Sequence, residues 1–239
     1  MDFSIITGNL EIYLQGLKNT LILVSISLVI GLVMAIPLAV LRTSASLVVQ
    51  APIRAFVYFF RGTPLLVQMF LVYYGLGQFD AMKESFLWPL FKEAYFCALF
   101  TFSLNTCAYT TEIIRGAIVA TPHGEIEAAR AAGMSTSLML RRIVLPSAFR
   151  RALPAYSNEI IFMLHGSALA SVITIIDITG AARIVNSRYY SPYEAFLTAA
   201  VFYMAITFTI VFLVRQLEKR WHQHLMPMEE NSTEIEAPI

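Results

Sequence analysis

Five stretches of the chain run without charge, or almost so, for the length that a bilayer crossing requires. A spanning helix needs roughly 20 mostly apolar residues. Residues 19–41 lie between Lys18 and Arg42, and 94–111 between Glu93 and Glu112. Residues 62–79 separate Arg61 from Asp80 and are extended backwards by the apolar run 55–60. Residues 152–176, interrupted by Glu159 and His165, separate Arg151 from Asp177, and 195–214 separate Glu194 from Arg215. The pattern predicts spans near 19–41, 56–79, 94–114, 152–176 and 195–214. Ahead of the first, Ile6, Leu10, Tyr13, Leu14 and Leu17 recur at helical spacing, which predicts a short interfacial helix on one membrane face. Within the first span Gly31, Ala35 and Ala39 form a small-residue stripe that lets another helix approach, and Ala195 and Ala199 offer the same in the last. Pro37 is placed to bend the first span near its end.

Composition agrees with an all-α integral membrane protein. Apolar residues make up 57% of the 239 and charged residues 14%, against about 45–50% and about 25% in soluble domains. That leaves too little polar surface for a soluble domain and too much apolar surface for a disordered chain. The net charge of +1 gives no basic field for nucleic acid. Five spans put the termini on opposite sides, and the basic residues set the orientation. With the N-terminus outside, the inner side holds Arg42, Arg54, Arg61, Arg115, Arg130, Arg141, Arg142, Arg150, Arg151, Arg215, Lys219 and Arg220. The outer side then holds only Lys18, Lys83, Lys92, Arg183 and Arg188, so the expectation is N-out, C-in. Asp2 and Glu11 and the length of the first apolar run do not suit a cleaved signal. Residues 1–221 read as a single transmembrane domain, and 222–239 as a polar cytoplasmic tail carrying Glu229, Glu230, Glu234 and Glu236. Cys97 and Cys107 share one apolar stretch, which argues against a structural disulfide. No internal repeat is visible.

The longest loop, 115–151, carries the most specific pattern. Pro122 and Gly124 break the end of the third span, and 125–132 (EIEAARAA) reads as a short helix stopped by Gly133. Ser135 is placed to cap a second helix through 139–144, which Pro146 is expected to end. Ala128, Ala129, Ala131 and Ala132 leave the first of these helices almost without bulk. It can therefore lie deep in a groove of another protein, with Glu127 and Arg130 fixing its register, or rest on lipid headgroups.

The spacing Glu127-Ala128-Ala129, Gly133, Ile143, Leu145-Pro146 resembles the EAA loop of ABC importer permeases. Phe60-Arg61-Gly62-Thr63-Pro64-Leu65 and the run from Tyr109 through Glu112 to Arg115-Gly116 are similar to the polar-amino-acid uptake branch of that family. The segments NTCAYTTEI, PHGEIEAARA, LPSA and LPAYSNE look most like M-type subunits of histidine/lysine-arginine-ornithine importers, and the arginine, ornithine and opine importers have similar subunits. The resemblance implies a type I ABC importer permease in a bacterial inner (cytoplasmic) membrane, carrying basic L-amino acids into the cytoplasm. Glu127, Ala128, Ala129 and Gly133 would then belong to a coupling helix seated on a cytoplasmic ATPase. The implied partners are two ATPase subunits, a periplasmic solute-binding protein and a second, Q-type permease. The chain has no G-x-x-x-x-G-K followed by Ser or Thr. If ATP drives the process, the resemblance implies that ATP and magnesium sit on the partner ATPase, and the expectation is a transport subunit, not an enzyme, with no cofactor of its own. Other readings stay open: a permease for another polar amino acid or an opine, an ATP-independent secondary transporter, or a membrane anchor.

Ionisable groups inside a bilayer are costly and usually functional. Glu159 lies eight residues past Arg151, about 12 Å deep at 1.5 Å per residue, near the middle of a core of about 30 Å. Met163, Gly166 and Ala170 share its helical face, and the two small residues are expected to leave open volume beside the carboxylate. Glu159 is accordingly a candidate for pairing with a cationic side chain of the substrate; the alternative is an ion pair or hydrogen bond with a neighbouring subunit. His165 sits on another face and reads as a packed hydrogen-bonding residue. In the third span Thr101, Asn105, Tyr109, Glu112 and Gly116 form one polar stripe, which must face protein or a water-lined path. Asn105, Tyr109 and Met163 join Glu159 as candidate pathway residues. Arg61, Gly62 and Pro64 are a candidate gate or hinge, or an ordinary proline kink beside a snorkelling arginine. His123 and Glu127 are four apart but too few to hold a metal.

Overall fold

A computed structural model describes residues 4–44 and 46–222. The described residues form helices and no strand: α1 (Ser4–Gly8), α2 (Leu10–Arg42), α3 (Leu47–Gly62), α4 (Leu65–Phe70), α5 (Asp80–Lys83), α6 (Trp88–Phe91), α7 (Ala94–Val119), α8 (His123–Ala131), α9 (Thr136–Met139), α10 (Leu145–Gly166), α11 (Ile178–Tyr189) and α12 (Pro192–His222). By length and composition, α2 and the Pro192–Trp221 part of α12 are apolar enough to cross a membrane. Two bent pairs also pass when each is taken as one span. Leu47–Gly62 meets Leu65–Gln78 at 106°, and Thr136–Ile173 meets Ile178–Tyr189 at 46°.

Several expectations change at this point. The interfacial helix predicted from Ile6 to Leu17 does not form as one unit. Leu10, Tyr13, Leu14 and Leu17 open α2, which runs unbroken through Pro37. Tyr13 is fully buried, stacks on Phe202 and donates to the Ala195 carbonyl at 2.9 Å, so packing on α12 outweighs lipid contact. The predicted span 56–79 is sharply bent at Thr63-Pro64. The predicted span 152–176 begins earlier, in α10, and breaks into a 3₁₀ turn over Ser167–Ile173. Pro146 does not end the preceding helix either. A π-helical turn over Leu140–Val144 shifts the hydrogen-bond register, and Pro146 falls in the first turn of α10, where a missing N–H costs little. The tail beyond His222 lies outside the described residues.

α7 is the central helix. α2 packs along it in parallel, in the most extensive helix contact of the fold. The stripe read from Gly31, Ala35 and Ala39 lies at this seam. A Cβ on Gly31 would sit 3.1 Å from the Cys107 nitrogen and 3.2 Å from the Ser103 oxygen. Ala35 and Ala39 are fully buried beside Cys107 and Ile114. α10 runs antiparallel on the other flank of α7, and its Leu164 joins Leu23, Met69 and Phe102 in a common core. At one end of the bundle, α2, α11 and α12 close around Tyr13, Ile178, Ala195 and Ala199. Gly16 permits this closure, because a Cβ there would lie 2.6 Å from the Asp177 carbonyl oxygen. At the opposite end Glu112 accepts from Arg42 at 2.9 Å and from Arg115 at 2.8 Å.

Candidate functional site

The bend between α3 and α4 follows from a missing donor. In a continuing helix the Phe60 carbonyl would accept from the N–H of residue 64, and Pro64 has none. Gln68, the only polar side chain in the run 65–72, supplies the replacement. Its Nε2 donates to Phe60 O at 2.8 Å, to Thr63 O at 3.0 Å and to Thr63 Oγ1 at 2.8 Å. Its Oε1 accepts from Asn105 Nδ2 at 3.0 Å, and the same Asn105 amide lies 3.4 Å from Phe60 O. Gln68 is 3% exposed. The bend is thus fastened to α7 by hydrogen bonds from a buried amide.

This fastening leaves Arg61 at the end of α3 facing α7 and α10. Its guanidinium lies 5.2 Å from the centroid of the Tyr109 ring, within cation–π range. Across a cavity of about 480 Å³ lies Glu159, which is 5% exposed and feels the Arg61 charge. Among the described residues, Arg61 and Glu159 close no ion pair with each other or with any other residue. The cavity wall brings together all seven residues singled out above as pathway or gate: Arg61, Gly62, Pro64, Asn105, Tyr109, Glu159 and Met163. Thr63, Leu65 and Phe162 complete it. A cation, a carboxylate, an amide and an aromatic face around one small volume can engage both ends of a zwitterion that carries an additional charge.

The open volume does not come from Gly166 and Ala170. A Cβ on Gly166 would meet Leu65 Cδ2 at 3.0 Å, and Ala170 is fully buried in the core. The 3₁₀ turn after Gly166 advances the chain by about 120° per residue instead of 100°, which removes Ala170 from the face of Glu159. His165 packs towards α12, with Nε2 3.3 Å from Thr207 Oγ1. The polar stripe of α7 divides along its length. Asn105 and Tyr109 reach the cavity, Thr101 donates to the Cys97 carbonyl, and Glu112 is held by two arginines.

The loop helix is α8, two residues earlier at its start than the sequence pattern suggests. Its end is a Schellman turn: Gly133 N–H donates to Arg130 O at 2.9 Å and Met134 N–H to Ala129 O at 3.1 Å, with Gly133 at φ +74°. Ser135 caps α9 by accepting from the Leu138 N–H at 3.4 Å. Glu127 and Ala128 are exposed while Ala129 is buried, so one face of the helix rests on the protein and the other is free. A groove of about 550 Å³ runs beside it, between Ala128, Ala129 and Ala132 on one wall and Arg142, Pro146 and Arg150 on the other. Arg151 anchors the assembly. It donates to the Ala117 carbonyl at 3.2 Å, to Thr121 Oγ1 at 2.7 Å and to Ser147 Oγ at 2.6 Å, tying the end of α7 to α10.

Two of these positions, Gln68 and Arg151, are not singled out by sequence reasoning. A signal existed for Gln68: a proline strands the carbonyl four residues before it, and a lone polar residue stands one turn beyond.

A family model described as "binding-protein-dependent transport system inner membrane component" matches residues 26–223. The histidine/lysine/arginine/ornithine transport system permease protein HisM of Escherichia coli is 50% identical over 213 residues, 89% of this chain and 90% of that one. The nopaline transport system permease protein NocM of Agrobacterium fabrum is 46% identical, over 94% of each chain. Among solved structures, that of an amino acid ABC transporter with histidines superposes with a TM-score of 0.82 at 33% identity, covering 92% of this chain and 99% of that one.

Proposed function

The chain belongs to the family of binding-protein-dependent transport system inner membrane components, and we propose that it is the permease subunit of an ATP-driven importer of basic L-amino acids. The observation that carries the substrate class is the buried Glu159 carboxylate, which faces a common cavity with Arg61, Asn105 and Tyr109. Glu159 takes the cationic side chain of histidine, lysine, arginine or ornithine. Arg61 is positioned for the α-carboxylate, and Asn105 and Met163 set the width of the passage. A carboxylate at this depth is expensive unless a cation meets it, and a basic amino acid is such a cation. The likeness to a nopaline permease supports a second reading, an opine substrate, at the same site.

In this reading the chain crosses the membrane five times, N-out and C-in, along α2, the bent α3–α4 unit, α7, α10 and α12. Residues 1–221 are one permease domain and 222–239 a cytoplasmic tail. α8, with Glu127, Ala128, Ala129 and Gly133, seats on one of two cytoplasmic ATPases that bind ATP and magnesium. A solute-binding protein delivers substrate at the other face, and a Q-type permease pairs with this chain. The 106° bend at Gly62 to Pro64 is the gate, because it is the point where a span departs from regular hydrogen bonding beside the cavity.

The test is uptake by proteoliposomes holding the assembled importer. Glu159→Gln and Glu159→Lys should abolish ATP-dependent uptake of lysine and arginine while the complex still assembles and hydrolyses ATP. Wild-type uptake by Glu159→Lys would overturn the substrate assignment.

A further inference from the structure

A second charged cavity lies away from the transport site, at the end of the bundle that carries α8. It measures about 460 Å³ and is lined by Pro146, Phe149, Arg150, Arg220 and Trp221. α10 and α12 meet here. Arg151 is fully engaged with Ala117, Thr121 and Ser147, whereas Arg150, its neighbour in sequence, makes no hydrogen bond or ion pair with any described residue. The same holds for Arg220. Among the described residues, two guanidinium groups therefore line one cavity and no acidic side chain lines it with them.

The depth of the cavity identifies what compensates them. Arg150 stands two residues before Ala152, where the apolar part of α10 begins. On α12 Leu217, 43% exposed, is the last large apolar residue before Arg220, which follows it by three residues, roughly 4.5 Å of helix. Both thus lie at the level of the polar headgroups, which extend about 5–8 Å beyond each side of the hydrocarbon core. Trp221, 44% exposed, has the amphipathic ring that favours this layer. Phe149 and Pro146 supply an apolar wall on the core side. A basic cleft between two spanning helices, with an aromatic at the rim and an apolar floor, matches the phosphate and upper acyl chains of an anionic phospholipid.

We propose that Arg150 and Arg220, with Trp221 at the rim and Phe149 beneath, form a binding site for an anionic phospholipid headgroup between α10 and α12. Bound there, the lipid joins the helix that follows the loop of α8 to the last helix of the chain. The proposal does not depend on which solute is carried.

Native mass spectrometry of the purified importer complex tests it, using phosphatidylglycerol, phosphatidylethanolamine and inorganic phosphate as separate probes. Phosphatidylglycerol adducts should persist to higher activation energy than phosphatidylethanolamine adducts. At about 1 kcal/mol per arginine, the double variant Arg150→Ala/Arg220→Ala should bind phosphatidylglycerol about thirtyfold more weakly. The double variant Arg150→Lys/Arg220→Lys keeps the charge and should retain the preference, which separates loss of the site from loss of fold. Equal phosphatidylglycerol binding by wild type and the alanine pair would overturn the proposal. So would retention of phosphate with no preference between the two lipids, since the site would then take a free anion.

Discussion

Replacing Gln68 by leucine keeps the volume of the side chain and removes everything that fastens the α3–α4 bend. The Phe60 carbonyl, already without a helical donor because of Pro64, then retains only the longer 3.4 Å approach of Asn105. Asn105 in turn loses its best acceptor, Gln68 Oε1 at 3.0 Å. Thr63 loses its contacts to Gln68 as well; counting only the Phe60 carbonyl and the Asn105 amide, at about 1–3 kcal/mol for each orphaned buried group, a loss of about 2–6 kcal/mol is expected. Gln68→Glu is the sharper perturbation. A carboxylate still accepts from Asn105 but cannot donate to Phe60 or Thr63, and it places negative charge against two carbonyl oxygens. Thermal unfolding of the assembled complex should therefore rank wild type above both variants. Uptake should fall because Arg61, one turn from the bend, no longer holds its position over Tyr109. ATP hydrolysis in the absence of substrate should change less, since the bend is remote from α8. If Gln68→Glu unfolds at the wild-type temperature and transports at the wild-type rate, the argument that a stranded carbonyl dictates this side chain is wrong.

Three further outcomes follow from local geometry. Gly133→Ala forces a Cβ into the left-handed region at φ +74°, a strain of about 1–2 kcal/mol; it should fray the end of α8 and lower the substrate-stimulated ATPase rate of the reconstituted complex, with spanning helices unaffected by circular dichroism. Glu112→Gln leaves Arg42 and Arg115 without their shared carboxylate, whereas Arg42→Ala leaves Glu112 one partner. Thermal stability should therefore fall further in the first variant than in the second, and the reverse order would refute a bridging role for Glu112. Gly31→Leu pushes a side chain against the backbone of α7; overpacking of this kind costs about 1–3 kcal/mol, and the yield of folded protein in detergent should drop accordingly.

Much of this architecture was legible because it rests on one-dimensional rules. The start of α7 at Ala94, the stop at Gly133, the Ser135 cap and the small stripe at Gly31 each follow from residue type and spacing. The candidate site was legible for a different reason. Arg61, Asn105, Tyr109 and Glu159 are polar groups where lipid would reject them, so they had to converge on something. What stayed hidden depends on contacts between distant segments. Whether Tyr13 lies on lipid or under α12 is decided by Gly16 and Ala195, and whether Gly166 opens or closes a cavity is decided by Leu65. The continuation through Pro146 rests on a π turn that no periodicity announces.

α7 has a consequence for how the protein is made. It is the most enclosed of the long helices, yet it is not among those apolar enough to cross a membrane by length and composition. In the five-span reading its threonines, Asn105 and Glu112 rely on α2, α4 and α10, which pack against it. Lipid alone offers such a segment little incentive to leave the insertion machinery. During synthesis α2 emerges first, already carrying the Gly31 seam and Arg42. If α7 is a span, the chain supplies its own chaperone: an early apolar helix that receives a later one too polar to embed unaided.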